Sequence, residues 1–306
     1  MKTITILLPA YNEAESFPSI KECMKTVIDN NQEYDWEFLF VNDGSTDQTL
    51  QLMKELNAQD NRYHYIDLSR NYGKEIAIMA GLDYVKSDAV IIMDADMQHP
   101  VSVIPEMLKH WEEGYDDIYA QRQTSNESWL KQKTSKLYYK ILQKSTNIPI
   151  QKDTGDFRLL DRKCIDALKE MRETDRNNKG MFSWIGFQKK GIFYQQNERR
   201  YGKTKWSYYK LLNLALTGIT SFTTTPLRFA SIFGIIVSLL AFLYLIYIIF
   251  KTLIIGDPVQ GYPTLMVTIL FLGGIQLIAL GIIGEYLSHI FNETKKRPGY
   301  FIREYK

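Results

Sequence analysis

Two aspartates, Asp94 and Asp96, stand one residue apart at the end of an apolar run, in the segment IIMDADMQHP. Carboxylates that lie so close raise each other's pKa unless a positive charge balances them. The neighbouring sequence offers no obvious cationic side chain, so we expect a divalent metal ion to supply that charge. Mg²⁺ and Mn²⁺ suit two carboxylates, because they keep water molecules and accept substrate phosphates as further ligands. A pair of solvated turn aspartates is the alternative interpretation.

Short apolar runs alternate with helical patterns through the first half of the chain. Predicted strands lie in the segments TITILLPA, EFLFVNDGS, YHYIDLS and DAVIIMDAD, and DDIYAQR is a candidate fifth strand. This alternation predicts an α/β fold with a doubly wound, mainly parallel sheet that helices cover on both faces. Ligands of such sheets bind at the carboxyl ends of the strands.

Residues able to contact a ligand collect at these strand ends. In chain order they are Pro9, Tyr11, Asn12 and Glu13, then Asn42 and Asp43, then Arg70 and Lys74, then Asp94, Asp96, Gln98 and His99, and finally Arg122. One polar turn alone is usually a helix cap, but five adjacent strand ends predict a small-ligand site. A metal between two phosphates would stabilise a diphosphate leaving group, and Asp43 suits a sugar hydroxyl or a base edge. The pattern therefore suggests a nucleotide sugar.

Two long apolar segments, Phe229 to Phe250 and Thr264 to Gly284, contain no charged side chain. A helix needs about 20 such residues to cross the hydrocarbon core of a membrane, so both are predicted to span it. A pair of buried core helices is the alternative. Basic residues flank the two segments, whereas the connector between them holds one lysine and one aspartate. This asymmetry places both ends in the cytoplasm.

The expected organisation is that of a multi-pass protein of the cell membrane. It has a cytoplasmic catalytic domain at 1–205, amphipathic juxtamembrane helices at 206–228, membrane helices at 229–250 and 264–287, an extracytoplasmic loop at 251–263 and a cytoplasmic tail at 288–306.

The composition of the chain excludes other classes of function. The chain has 306 residues and a net charge of +2, which does not favour nucleic acid as a partner. Cys23 and Cys164 lie far apart without the spacing of zinc ligands, and the four histidines form no metal-binding pattern.

Six segments together resemble a known family. They are LLPAYNEAES, FVNDGSTDQT, LSRNYGKEIAIMAGLDY, IIMDADMQHP, DTGDFRLLDR and RRYGKTKWSYYKL. In this order, followed by two apolar segments, they resemble the family 2 glycosyltransferases with the GT-A fold. The nearest group is the polyisoprenyl-phosphate glycosyltransferases, which includes dolichol-phosphate mannose synthase-like enzymes and bacterial GtrB-type and CsbB-type proteins.

The resemblance implies a role for each matching residue. Pro9, Tyr11, Glu13, Asp43 and Lys74 would bind the nucleotide sugar, Asp94 and Asp96 would hold its diphosphate and the metal with Gln98 close by, and Arg122 would contact the donor or acceptor phosphate. Asp156 would be the acceptor-side catalytic aspartate, and Arg199, Arg200, Lys203 and Lys205 would bind the acceptor phosphate. Thr204 stands where the family often has serine, and it keeps the hydroxyl.

The reaction implied is an inverting transfer of a sugar to polyisoprenyl phosphate, such as undecaprenyl phosphate, for glycosylation of the cell envelope. UDP-glucose or UDP-N-acetylglucosamine is the expected donor, and Asp156 is expected to orient a ligand or complete the metal site more than to remove a proton. The family also implies a homo-oligomer, a tetramer, with a flippase and a downstream transferase as partners. The alternatives are transfer to a lipid-linked saccharide and a non-catalytic membrane scaffold. The QxxRW-like motif of polymerising family members is missing from the sequence.

Overall fold

The computed structural model describes residues 1–122, 151, 154–174, 176–195, 225–255 and 261–306. The chain divides into two compact units. One contains Met1–Ser207 together with Arg297–Lys306, and the other contains Tyr208–Lys296.

The first unit is built around a sheet of eight strands within the described residues. These are β1 (Thr3–Ala10), β2 (Asp35–Asn42), β3 (Tyr63–Leu68), β4 (Ala89–Ile92), β5 (Asp117–Arg122), β6 (Thr154–Asp161), β7 (Lys189–Tyr194) and β8 (Ile302–Tyr305). Their spatial order is β7-β5-β6-β4-β1-β2-β3-β8. The strands β1 to β4 pair in parallel, as does β5 with β7, whereas β6 and β8 run antiparallel to their neighbours. The prediction of an α/β fold with a mainly parallel sheet is confirmed.

Helices of this unit follow most of the strands. They are α1 (Phe17–Asn30), α2 (Thr49–Gln59), α3 (Lys74–Tyr84), α4 (Ile104–Glu112), α5 (Arg162–Glu170) and α6 (Asn178–Trp184), with short 3₁₀ helices at Ala14–Ser16 and Val101–Val103. Helix α3 is apolar on most sides and buries the stretch from Ala77 to Leu82. Strand β1 is buried at every position after Thr3, as expected of a central strand that is covered on both faces.

A buried ion cluster joins β5 to its two neighbours. Arg158 on β6 is fully buried and lies 3.1 Å from an Asp117 carboxylate oxygen. The ammonium of Lys189 on β7 approaches the same oxygen at 3.1 Å, and the Arg158 guanidinium stacks 3.9 Å from the ring centre of Phe182. Arg158 lies in the DTGDFRLLDR motif, and its contacts give this motif residue a structural role.

The C-terminal residues return to the sheet of the first unit. Strand β8 pairs with β3 and places Tyr305 opposite Ile66 and Glu304 opposite Asp67. Lys54 on α2 forms an ion pair with Glu304 at 2.5 Å. No sequence pattern predicts this strand, which lies within the segment expected to be a tail.

The second unit contains two long helices, α7 (Thr225–Ile255) and α8 (Tyr262–Thr294), which contact each other. Their apolar side chains are widely exposed, for example Ile235 and Leu277 at 68% and 71%. Within the described residues, one stretch, Phe271–Thr294, is long and apolar enough to cross a membrane, and Phe229–Tyr244 is a shorter apolar helix. The prediction of two spans is therefore not confirmed: one candidate span is found.

Candidate active site

The two aspartates of the opening motif lie in a turn beyond β4. Strand β4 ends at Ile92, before both aspartates. Their side chains therefore need not point to opposite faces of the sheet, as alternate residues of a strand do, and both can reach one site. The backbone N–H of Asp94 donates to Nδ1 of His99 at 3.2 Å, and the N–H of Gln98 donates to Oδ1 of Asp96 at 3.1 Å. Met97, between them, has a φ of 60°, a left-handed conformation that tightens the turn.

A lysine supplies the positive charge that the sequence around the aspartates lacks. The Nζ atom of Lys74 lies 2.6 Å from Oδ1 of Asp94 and 2.5 Å from Oδ2 of Asp156. The neighbouring sequence holds no such cation, but the fold brings Lys74 to Asp94; the metal ion remains a prediction. Lys74 is the first residue of α3 and reaches the aspartates through the fold, so sequence proximity does not reveal it. Burial lowers the pKa of Lys74, but the two carboxylates outweigh burial and raise it above its ordinary value.

Asp156 lies on β6, on the side of β4 that is remote from β1. The antiparallel register that pairs Ile92 with Arg158 runs on toward Asp94 and Asp156, which explains why one ammonium reaches both. Asp156 is 6% exposed. Burial raises the pKa of its carboxyl, but Lys74 outweighs that effect and holds the pKa below its usual range. The Oδ1 atom of Asp156 is buried and has no hydrogen-bond partner among the described residues.

Asp43 organises the loop that precedes Lys74. Its two carboxylate oxygens accept the backbone N–H groups of Tyr72 at 2.7 Å and Gly73 at 2.9 Å. Gly44 is needed beside it, because its φ is 68° and an added Cβ would lie 2.5 Å from the carbonyl carbon of Arg70. Asp43 is 3% exposed. This residue, predicted to contact a sugar hydroxyl or a base edge, holds two backbone N–H groups of the loop; its contact with a donor remains a prediction.

The loop after β1 is tied to the loop after β2. The side-chain oxygen of Asn12 accepts the N–H of Thr46 at 2.8 Å, and the N–H of Glu13 donates to Oγ1 of Thr49 at 2.9 Å. Pro9 is buried in β1, and Glu13 accepts the Ser16 hydroxyl at 2.9 Å. Tyr11 is 44% exposed, so its ring is the open surface of this loop.

The predicted phosphate-binding residues are only partly described. Arg122 ends β5 and is exposed, and its charge lowers the pKa of His99, a smaller effect than that of burial. Arg199, Arg200, Lys203 and Lys205 lie outside the described residues, as does most of the juxtamembrane segment 206–228. The structure therefore brings Lys74, Asp94 and Asp156 into contact and leaves the basic motif untested.

His99, which the sequence analysis placed at the end of the fourth strand, is buried beside the aspartate turn. Its ring is 3% exposed and stacks on Phe157 with centres 4.6 Å apart and planes at 11°. Burial lowers its pKa, and a neutral ring can accept the N–H of Asp94 at Nδ1. His99 thus connects the aspartate turn to β6 beside Asp156.

The residues present fit a metal ion only with help from a substrate. In the parts of the chain that the structure describes, no group of three or more His, Cys, Asp or Glu side chains forms a metal site. The available protein ligands are Asp94 and Asp96, with the partnerless oxygen of Asp156 nearby. Such a small carboxylate set suits Mg²⁺ or Mn²⁺ when phosphate oxygens and water complete the coordination.

The comparison with protein families identifies the class. Residues 5–169 match the family described as glycosyl transferase family 2, and residues 225–290 match the GtrB C-terminal hairpin. The chain therefore belongs to glycosyl transferase family 2, and the resemblance read from the motifs is confirmed.

Relatives in this family extend over nearly the whole chain. CsbB of Bacillus subtilis (strain 168) is 46% identical over 98% of this chain and 91% of its own. The bactoprenol glucosyl transferase of Shigella phage SfX is 40% identical over 99% of both chains, and the prophage bactoprenol glucosyl transferase homolog of Escherichia coli (strain K12) is 41% identical over 99% of both. Among solved structures, a Pyrobaculum calidifontis mannosyltransferase in complex with GDP-Man and Mn²⁺ is 15% identical, covers 90% of this chain and 86% of its own, and has a TM-score of 0.46.

Proposed function

We propose that this protein transfers glucose from UDP-glucose to a polyisoprenyl phosphate of the undecaprenyl (bactoprenol) type. The observation that carries the proposal is the near full-length similarity to two proteins named for bactoprenol glucosyl transfer. Those names do not support UDP-N-acetylglucosamine, the other expected donor, which is therefore tested in parallel.

The charges of the site suit a reaction that joins two anions. An acceptor phosphate is already largely ionised at neutral pH, because the second pKa of a phosphate monoester is about 6. The phosphate oxygen can therefore attack the sugar carbon without a strong general base. The task of the protein is to hold the acceptor phosphate and the donor diphosphate together in line, which is electrostatics and positioning. Lys74 and Arg122, with the predicted basic motif around Arg199, are the side chains suited to it.

Asp156 is a poor candidate for a base. Lys74 holds its pKa below the usual range of an aspartate, so its carboxylate has little tendency to take a proton. Its role is to hold Lys74 and to present its open oxygen to a ligand. The Asp156→Asn variant keeps the shape, so it should bind the donor while losing most turnover. Restoration of turnover at high pH with a hydroxyl-bearing acceptor would instead identify Asp156 as the base.

A divalent cation held by Asp94 and Asp96 would supply Lewis-acid stabilisation of the departing diphosphate. The protein itself contributes a second positive charge, the ammonium of Lys74. When the donor diphosphate enters, Lys74 has two competing anionic partners, the aspartates and the phosphates. We propose that Lys74 then contacts the diphosphate, and that Asp43 and Tyr11 contact the nucleoside. A single displacement at the sugar carbon would give a β-linked product from an α-linked donor.

The apolar helices suit a lipid acceptor. The exposed apolar surface of α7 and α8 is larger than a soluble monomer tolerates, and Phe271–Thr294 is long enough to cross a bilayer. We propose that both helices lie in the cell membrane, with both ends in the cytoplasm, so that the site can reach a phosphate that stays at the bilayer surface. The tetrameric assembly, the flippase and the downstream transferase remain predictions from the family.

The test is turnover by the purified full-length protein with radiolabelled UDP-glucose and Mn²⁺, with and without undecaprenyl phosphate. We expect label to enter organic solvent only when the lipid phosphate is present, and we expect the Asp96→Asn variant to abolish it. Parallel reactions with UDP-N-acetylglucosamine and with a lipid-linked saccharide test the two enzymatic alternatives. Absence of a lipid-linked product from every donor, by protein that is folded and monodisperse, would refute the enzyme assignment and favour a scaffold.

A further inference from the structure

The last residues of the chain, 297–306, form a segment that we call the C-terminal strap. The strap follows α8 directly and adds β8 to the edge of the sheet beside β3. It is held along its length within the first unit. Tyr65 and Lys306 exchange two backbone hydrogen bonds at 3.1 Å, the rings of Tyr84 and Tyr305 lie 4.6 Å apart, and the hydroxyl of Tyr300 donates to Asp83 at 2.6 Å.

The strap also grips the loop between β3 and α3, residues 69–73. The N–H of Ser69 donates to the carbonyl oxygen of Phe301 at 2.9 Å, and Nη2 of Arg303 donates to the carbonyl oxygen of Ser69 at 2.5 Å. The hydroxyl of Tyr72 lies 2.8 Å from that of Ser69. Hydrogen bonds from Ser69 and from the backbone of Phe301 lower the pKa of Tyr72. The strap therefore contacts the first residue of the loop directly, and Tyr72 contacts that residue through its hydroxyl.

The opposite side of the same loop belongs to the active site. The N–H groups of Tyr72 and Gly73 donate to the buried carboxylate of Asp43, and the next residue is Lys74, which bridges Asp94 and Asp156. Tyr72 thus has its backbone on Asp43 and its hydroxyl on Ser69, the residue that the strap holds. A shift of the strap would move the loop against Asp43 and change the direction from which α3 presents Lys74.

We propose that the C-terminal strap is a positioning element of the nucleotide-sugar site. The strap holds loop 69–73 on the side away from Asp43. It thereby fixes the N–H groups of Tyr72 and Gly73, which Asp43 accepts, and the position of Lys74 at the start of α3. Because the strap continues from α8, the chain completes its donor site only after the apolar helices have been made. The inference rests on the proposed function for the identity of the ligand, but the mechanical claim about the loop does not.

Two variants of the full-length protein test the strap without deleting it. Tyr72→Phe removes the hydroxyl that contacts Ser69 and keeps the ring, and Arg303→Met removes the bond to the Ser69 carbonyl. Lys54→Met is the matched control, because it breaks the Lys54–Glu304 ion pair on the same strand without touching loop 69–73. We expect the Kd for UDP, measured by calorimetry with Mn²⁺, to rise about threefold or more in each variant, as for loss of one hydrogen bond, and to stay unchanged in Lys54→Met.

Hydrogen exchange supplies a readout that needs no ligand. The amides of Tyr72 and Gly73 should exchange faster in Tyr72→Phe and Arg303→Met than in the wild type, and at the wild-type rate in Lys54→Met. Unchanged exchange and unchanged UDP affinity in both strap variants would overturn the inference. An equal loss in Lys54→Met would also overturn it, because it would reveal a general effect of weakening β8. Failure of the wild-type protein to bind UDP, with exchange altered as expected, would instead refute the proposed donor.

Discussion

Replacement of Lys74 by methionine tests whether this ammonium occupies the place of a cation at the aspartates. Methionine keeps the length and the apolar stem of lysine and removes the charge. The Nζ atom lies 2.6 Å from Asp94 and 2.5 Å from Asp156, so a metal ion that binds Asp94 must compete with it. We therefore expect Lys74→Met to bind Mn²⁺ more tightly than the wild type, although it loses a side chain of the site.

The size of the effect follows from the exposure of the three groups. Loss of one partner from a fully buried ion pair costs about 3–5 kcal/mol. The Lys74 side chain is 41% exposed, however, and those of Asp94 and Asp156 are 27% and 8% exposed, so water screens part of the interaction. We expect a net competition of about 1–2 kcal/mol, which corresponds to a Kd for Mn²⁺ that is about five- to thirtyfold lower in the variant.

The assay is a titration of the detergent-solubilised full-length protein with Mn²⁺, in which the free ion is measured by electron paramagnetic resonance. Lys2→Met is the matched control, because Lys2 lies 2.7 Å from Glu112 with comparable side-chain exposure, 50%, and has no part in the site. An unchanged Mn²⁺ affinity in Lys74→Met would mean that the ammonium does not compete for the metal position. A weaker affinity would mean that Lys74 organises the carboxylates for the metal.

Three further changes test other parts of the unit. His99→Phe keeps a ring on Phe157 but leaves the N–H of Asp94 without its acceptor, a loss of about 1–3 kcal/mol; the Kd for Mn²⁺ should rise about tenfold, and His99→Asn, which retains an acceptor, should recover part of it. Arg158→Met leaves Asp117 buried with one partner fewer and should lower the free energy of unfolding by about 3–5 kcal/mol, measured as a lower Tm. Lys163→Met is the comparison: the Lys163 side chain is 68% exposed in its pair with Asp116, so its loss should leave the free energy of unfolding nearly unchanged. Burial, and then the charge of Asp156, raise the pKa of Glu75 to about 7, so the folded state holds this proton more tightly than the unfolded state and stability is lost as pH rises from about 4.5 toward 7. Glu75→Gln should therefore raise the Tm at pH 8 and leave it nearly unchanged near pH 4.5; an equal gain at both pH values would contradict the titration.

The sequence patterns predict individual strands, because the apolar pattern of a strand is local in sequence. The segment TITILLPA is β1 from its first residue to its last, and DDIYAQR contains β5. Strand β1 is mostly apolar because both of its faces are covered. The same alternation locates Asp43 after β2 and Asp94 and Asp96 after β4, the two strands that flank β1, so the position of the site is predictable.

Long-range pairing is what the sequence patterns leave open. Strand β6 enters the sheet antiparallel beside β4, and only that register brings Asp156 opposite Asp94. Lys74 lies between these two aspartates because α3 begins there. No periodicity of the sequence predicts the distance from Lys74 to either carboxylate. Strand β8 is short and half polar, and it becomes a strand because the edge of β3 offers unpaired backbone groups.

Loop 69–73 and Lys74 connect the features that otherwise look separate. The carboxylate of Asp43 accepts the N–H groups at the end of the loop, and the C-terminal strap binds Ser69 at its beginning. The next residue, Lys74, is the cation that balances Asp94 in the turn after β4 and Asp156 on β6. Asp43 and the aspartate turn are thus linked through residues 72–74. A nucleotide sugar that contacts both would bind at two places that this short segment connects. If the proposed nucleoside and diphosphate contacts form at Asp43 and at the aspartate turn, the hydrogen bonds of the loop would hold the spacing between them fixed, and preorganisation of this kind lowers the ordering cost of binding.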